Sequence, residues 1–337
     1  MNSTGTGTLG RVAQVRTAPA EPTTVDTHVT IVRPDTDKFY LPFFGYALIM
    51  IEQQLIAAGQ GAVGQTELPR TDLSEKFEIT FPSSLDEQKQ IVAVLDQAFA
   101  ALDRARARAK SNLVSATDLL NQAREQLLSL DQPGWEEVPL SDLMTIKHGF
   151  AFKSEFFQND GGYVLLTPGN FYENGGFRHR GSKQKYYVGE IPDGFILSEG
   201  DLLMAMTEQA PGLLGSCILV PEDNRFLHNQ RLGLIQPKRP ENWHSPYFAH
   251  VFNLKAFRKA LSDTCSGIKV RHTSPERILR VKVPVPPSVE VQKSVADQIE
   301  RLAANTMTLT QKYSDKLTQI GALRKSLLDR AFSGSLT

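Results

Sequence analysis

Ile79-Thr-Phe-Pro-Ser-Ser-Leu-Asp-Glu-Gln-Lys-Gln-Ile91 has a second version in the same chain, Val283-Pro-Val-Pro-Pro-Ser-Val-Glu-Val-Gln-Lys-Ser-Val295. A shift of about 204 positions places Pro82 on Pro286, Gln88 on Gln292 and Lys89 on Lys293. Each version runs from a β-rich stretch through prolines and an acidic residue into a long periodic run of apolar residues. Proline fits the first turn of a helix, and acids there favour the positive end of its dipole. Both versions therefore read as a strand, a break and a helix.

In the first helix the apolar or small residues are Ile91, Leu95, Ala98, Leu102, Ala105, Ala109, Leu113, Ala116, Leu120, Ala123 and Leu127. In the second they are Val295, Ile299, Leu302, Thr306, Leu309, Tyr313, Leu317, Ile320, Leu323 and Leu327. Steps of three and four sustained over this length mark a coiled-coil seam. Each helix has roughly 40 residues and reaches ~60 Å at 1.5 Å per residue, longer than one globular domain needs. Ala98, Ala105 and Ala109 are expected to receive Leu302, Leu309 and Tyr313; separate packing of each helix on its own domain is the other reading.

Between the helices, Asp131-Gln-Pro-Gly-Trp135 is a turn-rich break. Short apolar runs follow, punctuated by Gly and Pro: Val164-Leu-Leu166, Phe195-Ile-Leu197, Asp201-Leu-Leu-Met204, Cys217-Ile-Leu-Val220 and Leu232-Gly-Leu-Ile235 read as strands. Residues 247–261 read as helical, so the region is α+β. The repeat extends upstream: Leu9-Gly10 through Val15 resembles Leu214-Gly215 through Val220, Val29 to Pro34 resembles Leu232 to Pro237, and residues 40–57 take the place of 247–261. Nothing ahead of Met1 corresponds to residues 135–204, so the chain reads as beginning inside a domain.

The 337 residues suffice for two modest domains. With 41% hydrophobic and 22% charged residues, the composition is that of an ordinary water-soluble protein. Lys+Arg and Asp+Glu both number 37, so any surface for a polyanion has to be local. Cys217 and Cys265 are too few for a disulfide framework and lack metal-ligand spacing, which suits a reducing cytoplasm. The richest apolar run, residues 43–51, is far short of the ~20 residues of a membrane span. The polar start lacks the regions of a signal peptide. The expectation is a cytoplasmic protein without a membrane partner.

Gly-Phe-Ala-Phe-Lys-Ser154, Ser198-Glu-Gly-Asp-Leu-Leu203, and the duplicated strand, Pro, acid and Gln ahead of each long helix, in this order, resemble the specificity subunit of type I restriction-modification systems. The resemblance spans almost the whole chain. It implies an α+β fold: mixed α/β target recognition domains joined by two long helices in an antiparallel coiled coil. It implies partners: double-stranded DNA, modification (methyltransferase) subunits and restriction (translocase and nuclease) subunits. No cofactor is implied for this chain, since S-adenosylmethionine, ATP and Mg belong to the partner subunits. The implied organisation is the C-terminal part of a first recognition domain over residues 1–82, a spacer helix over 83–130, a complete second recognition domain over 131–287 and a second long helix over 288–334. The shortened first domain leaves open an internal start, a truncation, self-association, or pairing with a separately encoded half.

No catalytic constellation emerges. Gly5-Thr-Gly-Thr-Leu-Gly10 fits G-x-G-x-x-G, yet no strand precedes it and β-like residues follow, so it reads as a glycine turn. Glu87-Gln-Lys89 with Asp35 upstream mimics part of a nuclease motif, but Glu87 opens a helix and its counterpart is Val291, so it reads as helix capping. No Walker loop or Asn-Pro-Pro-aromatic motif is present. Given the resemblance, Phe177-Arg-His-Arg-Gly-Ser-Lys-Gln-Lys-Tyr-Tyr187 is the foremost DNA-contact stretch, with Arg178, His179, Arg180, Lys183 and Lys185 as donors. Thr207 and Gln209, then Asn229 and Arg231, form a second candidate group, although Gln and Asn also cap turns. Lys269 and Arg271 are read as a phosphate-holding rim. A solvated surface is the plain alternative for each group. For the whole chain, the alternatives are a coiled-coil scaffold or a degenerate specificity subunit without activity.

Overall fold

The computed structural model describes residues 1–5, 7–61, 66–209, 212–267 and 270–335. They form two compact units, Met1–Ser115 with Leu309–Thr337, and Ala116–Thr308. The chain first forms helices α1 (Leu41–Met50), α2 (Glu52–Ala57), α3 (Arg70–Glu75) and α4 (Leu85–Leu127). Next come β1 (Glu136–Pro139), α5 (Leu140–Leu143), β2 (Met144–His148), β3 (Phe157–Gln158), β4 (Tyr163–Leu165), β5 (Tyr186–Tyr187), β6 (Leu202–Ala205) and β7 (Thr207–Glu208). The remainder is β8 (Cys217–Leu219), β9 (Phe226–Leu227), β10 (Leu232–Pro237), α6 (Ser245–Phe252), α7 (Lys255–Thr264), β11 (Arg271–His272), α8 (Pro275–Leu279), β12 (Lys282–Val285) and α9 (Val289–Phe332). The class is α+β. Among the described residues, no helix is long and apolar enough to cross a membrane.

Both long helices begin alike. The Ser84 hydroxyl accepts the Glu87 N–H at 3.4 Å, and the Ser288 hydroxyl accepts the Val291 N–H at 3.4 Å, so a serine cap precedes each acidic first turn. Within the first unit the helices run antiparallel. Asn112 donates to the Tyr313 hydroxyl at 3.0 Å, and Asp103 pairs with Arg324 at 2.8 Å, so positions climb along α4 as they fall along α9.

The seam on α9 differs from the sequence expectation. Leu302, Leu309 and Leu323 are 39%, 41% and 49% exposed, and their neighbours Ala303, Thr310 and Arg324 turn inward. From Ile299 to Leu327 the inward positions alternate strictly by four and three, the 3.5-residue period that keeps a seam on its partner. Phase thus overrides the choice of the more apolar neighbour. Arg324 fits because its guanidinium lies 4.2 Å from the Phe99 ring centre and its stem covers the apolar seam. The expected meeting of Ala98 with Leu302 does not occur, since the antiparallel register sets the Ala98–Phe99 turn opposite the last turns of α9. Leu323→Gln is expected to cost under about 0.5 kcal/mol, against about 1–2 kcal/mol for the inward Ile320→Gln. Urea unfolding of the two variants checks the phase.

In the second unit, β2-β10-β6-β8 form an antiparallel sheet and β3-β5-β4-β9 a second one, in which β4 and β9 are parallel. All four residues of β6 are buried because both faces of its sheet are covered. Leu202 and Met204 join Tyr247, Phe248, Val251 and Phe252 of α6 and Val295, Ala296 and Ile299 of α9. Leu203 and Ala205, alternating with them, join Val164, Leu166, Phe171 and Phe226. The expected strand at residues 195–197 is instead one bridge, Ile196 to Leu227. The expected helix over 247–261 is divided between α6 and α7. Asn253 sits at the break and ties it to β8, accepting from Cys217 N at 3.0 Å and donating to Cys217 O at 3.2 Å.

The repeat is visible bond by bond. Gln88 accepts from Tyr40 N and donates to Lys38 O and Pro82 O; Gln292 accepts from His244 N and donates to Asn242 O, at the same sequence offset. The Phe39–Phe44 ring pair has its counterpart in Trp243–Phe248, stacked at 3.5 Å. Helix α1 therefore aligns with α6 so that Tyr40 matches His244, three positions from the pairing read in the sequence. At the chain start, Asn2 N donates to Arg11 O and Ser3 N to His28 O, just as Ala205 N donates to Ser216 O and Met206 N to Arg231 O. Gly10 and Gly215, with φ of +76° and +77°, occupy equivalent turns. A Cβ would come within 2.9 Å of Ile56 at Gly10 and 2.7 Å of Leu261 at Gly215, so neither turn has room for a side chain.

Candidate nucleic-acid interface

The turn at residues 228–231 is built by a close backbone approach. A Cβ on Gly149 would fall 2.0 Å from Asn229 O, so only glycine lets the Gly149–Phe150 backbone lie against the turn. Phe150 N then donates to His228 O at 2.9 Å, and Gln230 N donates to Phe150 O at 3.0 Å. Beneath the turn, His228 is fully buried and its Nε2–H donates to Leu232 O at 3.0 Å. Burial and the nearby Lys147 and His148 hold this imidazole neutral, with its pKa pushed down to about 4. Asn229 is buried too, and its side-chain oxygen accepts the Arg231 N–H at 3.1 Å, leaving Gln230 and Arg231 exposed at the tip.

The basic stretch is braced by two buried amides. Asn170 Nδ2 donates to Gln184 Oε1 at 2.8 Å and to Arg178 O at 3.3 Å, while Arg178 N donates to Asn170 O at 2.7 Å. The Thr167 N–H and hydroxyl both reach Asn170 Oδ1. With its polar groups paired this way, the loop presents Arg178, His179, Lys183 and Lys185 exposed and Arg180 half-exposed. Arg178 lies over the Tyr172 ring at 5.8 Å, and Lys185 over Phe157 at 5.2 Å. The His179 ring instead turns back on its own loop, where Nδ1 accepts from Gly181 N at 3.1 Å.

Lys185, Asn229, Gln230 and Arg231 come together around a shallow cavity of about 200 Å³ that Ser154 and Thr167 also line. Thr207 adjoins this cluster through the Met206 N to Arg231 O bond, and Gln209 follows it, exposed. Arg271 is placed differently. Its guanidinium pairs with Glu208 at 3.0 Å and donates to the Ser262 hydroxyl and carbonyl and to Cys265 Sγ, so its donors are engaged within the fold. Lys269 lies outside the described residues.

Guanidinium, ammonium and amide groups on a braced concave rim offer donors to phosphate oxygens and to base edges. Among the described residues, no three His, Cys, Asp or Glu side chains gather where they could hold a metal ion. Sequence reasoning missed Asn170, Gln184, Glu208 and Arg258, which position this rim. The Thr167-Pro-Gly-Asn170 spacing was a usable signal, since its two ends form a reciprocal capping box. For Glu208, the signal was an acid closing the apolar run of residues 202–206.

Residues 133–319 match the family model described as type I restriction modification DNA specificity domain. Over 225 residues the chain is 27% identical to the type I restriction enzyme EcoBI specificity subunit of Escherichia coli, an alignment covering 66% of this chain and 44% of that protein. It thus spans less than half the length of that relative. A solved structure concerning complex assembly and conformational transition of the type I R-M system superposes with a TM-score of 0.72 at 16% identity, covering 90% of this chain and 74% of the other. The HsdS subunit from Thermoanaerobacter tengcongensis superposes at 0.59 and 17% identity, covering 90% and 73%. The fold is shared with both, and with more than half of its length matched by the family model, the chain belongs to the type I restriction-modification DNA specificity domain family.

Proposed function

We propose that this chain is a non-catalytic DNA-recognition subunit that directs partner methyltransferase and restriction subunits to a target sequence. The observation carrying the proposal is the convergence of Lys185, Asn229 and Arg231 on one concave rim beside the braced, exposed Arg178 loop, in a family of DNA specificity domains. Within this reading Arg178 and Arg180 supply guanine or phosphate contacts, Lys183 and Lys185 hold phosphates, and Gln209 and Arg231 reach base edges. S-adenosylmethionine, ATP and Mg serve the partner subunits. The second recognition domain is residues 131–287, with 83–130 and 288–334 as spacer helices and 1–82 as the remaining part of a first head.

Two surface features support the assembly half of the proposal. Leu119, Leu302, Leu309 and Leu323 lie exposed beside the helical seam and offer apolar footing to partner helices. On the first unit Val15 is 77% exposed, whereas its repeat counterpart Val220 is buried with Val164, Leu166 and Phe171. A segment folded like residues 135–203 would cover that face, and the bipartite site would then be read by two heads.

Sequencing methylated DNA from cells carrying this chain and its modification subunits, against cells lacking the chain, tests the proposal. A methylated motif that appears only with the chain is expected; identical methylation in both would refute targeting. Arg178→Ala is expected to weaken binding to the selected duplex by about 1–3 kcal/mol if it reads a base, with little change on unrelated duplexes. A phosphate contact would instead weaken all duplexes alike and reduce the salt dependence. Unchanged affinity in the Arg178→Ala, Arg180→Ala double variant would remove this loop from the interface.

A further inference from the structure

Glu208 and Arg258 form a charged clamp around the 212–214 turn. One oxygen of the buried Glu208 carboxylate accepts the N–H groups of Gly212, Leu213 and Leu214 at 3.0, 2.8 and 2.8 Å, and the other faces Arg271 at 3.0 Å. From α7, Arg258 donates through Nε to Leu214 O at 2.6 Å, through Nη1 to Glu173 O at 2.5 Å, and through Nη2 to Gly212 O. A carboxylate thus holds the N–H groups of the 212–214 turn while a guanidinium holds its carbonyls, and charge-assisted bonds of this kind are the stronger ones. The same guanidinium joins that turn to the 172–176 turn, whose Tyr172 carries Arg178 above its ring. Ser216 Oγ donates to Tyr172 O at 2.7 Å and Gly176 N to Cys217 O at 3.1 Å, so the join is continued below the clamp.

Among the described residues, the first unit contains the same backbone junction without the clamp. There Gly10 N donates to Asn2 O, as Gly215 N does to Ala205 O, and the intervening loop is two residues shorter. Among the described residues it closes with Thr8 N and Leu9 N donating to Gly5 O and the Thr8 hydroxyl donating to Thr4 O at 3.3 Å, without a charged side chain. In the second unit, by contrast, ionised groups fix the distance between the two exposed stretches that carry Arg178 and Gln209.

We infer that Glu208 and Arg258 are positioning residues that set the spacing between residues 172–180 and the stretches 207–209 and 212–214, and thereby the base preference of the second unit. The inference rests on the DNA-reading role proposed above. Its test is selection of binding sequences from a random duplex pool by the full chain, the Glu208→Gln, Arg258→Lys and Gln209→Ala variants, and the Glu208→Gln, Gln209→Ala double variant. Affinities for selected and unrelated duplexes and thermal midpoints accompany it. Glu208→Gln and Arg258→Lys are expected to lower the ratio of specific to non-specific affinity about tenfold, with non-specific affinity within about twofold of the parent. The Gln209→Ala effect is expected to vanish in the Glu208→Gln background, because a misplaced side chain has no contact left to lose.

Should Glu208→Gln fail to fold, Arg258→Lys carries the test, since lysine keeps the charge but lacks the planar fork that reaches three carbonyls. Folded variants that select the parental sequence with the parental ratio would overturn the inference while leaving DNA reading intact. Equal losses on all duplexes that follow the fall in thermal midpoint would also overturn it. A parent chain that selects no sequence would remove the DNA-reading role itself, and the inference with it.

Discussion

Acidification from pH 7 to pH 4 is expected to remove on the order of 3 kcal/mol of stability from the second unit for each of two histidines, the buried His228 and the half-buried His250. Both have pKa values pushed down to about 4, in each case chiefly by burial, with Lys147 and His148 acting on His228 and Arg124 and His244 on His250. In the unfolded chain each imidazole takes up its proton near the ordinary histidine value. Below that value the unfolded state binds more protons, so stability is complete above it and falls as pH drops toward 4. Four carboxylates modify the trend: in the second unit, hydrogen bonds from Ser274 and Ser288 hold the exposed Glu276 and Glu290 below the usual range and add to the acid loss. Asp96 in the first unit, bonded by Arg16 and Tyr46, is held below the usual range and adds an acid loss there, whereas burial raises Asp201 in the second unit and opposes the histidines.

Urea unfolding across pH 4 to 7 checks this. His250→Phe is expected to flatten the dependence by its share, because His250 Nε2 has no hydrogen-bond partner among the described residues. His228→Gln is the gentler choice at 228, since an amide keeps a donor for Leu232 O. An unchanged pH slope in both variants would show that neither imidazole governs the acid transition.

Replacement of Gln88 by alanine is expected to cost about 3 kcal/mol or more, and Gln292→Ala about 2–3 kcal/mol. Gln88 is wholly buried, and its amide pairs the Tyr40 N–H and the Lys38 and Pro82 carbonyls at 2.8, 2.9 and 2.8 Å. Removing it leaves one donor and two acceptors in a half-buried junction without this partner. Gln292 serves His244 N at 2.9 Å and Asn242 O at 3.1 Å. Each amide stitches a short helix to the first turn of a long one, so neither replacement is a loss of volume alone. Glu in place of Gln88 is expected to be worse than a neutral isostere, because a carboxylate would face two carbonyl oxygens. The two glutamines share no partners, so their effects on the denaturant midpoint are expected to add. A loss below about 1 kcal/mol in both single variants would mean that the stitches do not hold the helices.

These two residues also mark how far the sequence could be read. Their recurrence beside Pro82 and Pro286 exposed the duplication, and the aligned glutamines make two equivalent bonds in both units, Gln88 adding a third to Pro82 O. The long helices followed from periodicity, since forty residues of three-four spacing admit few other structures. Strands with two buried faces, such as β6, were legible as continuous apolar runs. Residues 195–197 carry the same signal yet form a single bridge, because strand identity depends on a neighbour that composition does not name. Arg271 shows the same limit at the candidate site: in the sequence it is one exposed-type cation among several, and in the structure Glu208 has taken it.

By itself, the sequence determined the class of fold, the internal repeat, the two paired helices and the family, because period, proline placement and repeated polar residues act locally and survive without knowledge of contacts. Only the tertiary structure decided the seam's phase, the offset between α1 and α6, the closing of Lys185, Asn229 and Arg231 around one cavity, and the clamp from Arg258 to turns more than forty positions away. The reason is physical: a side chain's partner across a sheet or seam is set by register and packing, and these arise only when distant segments compete for the same space.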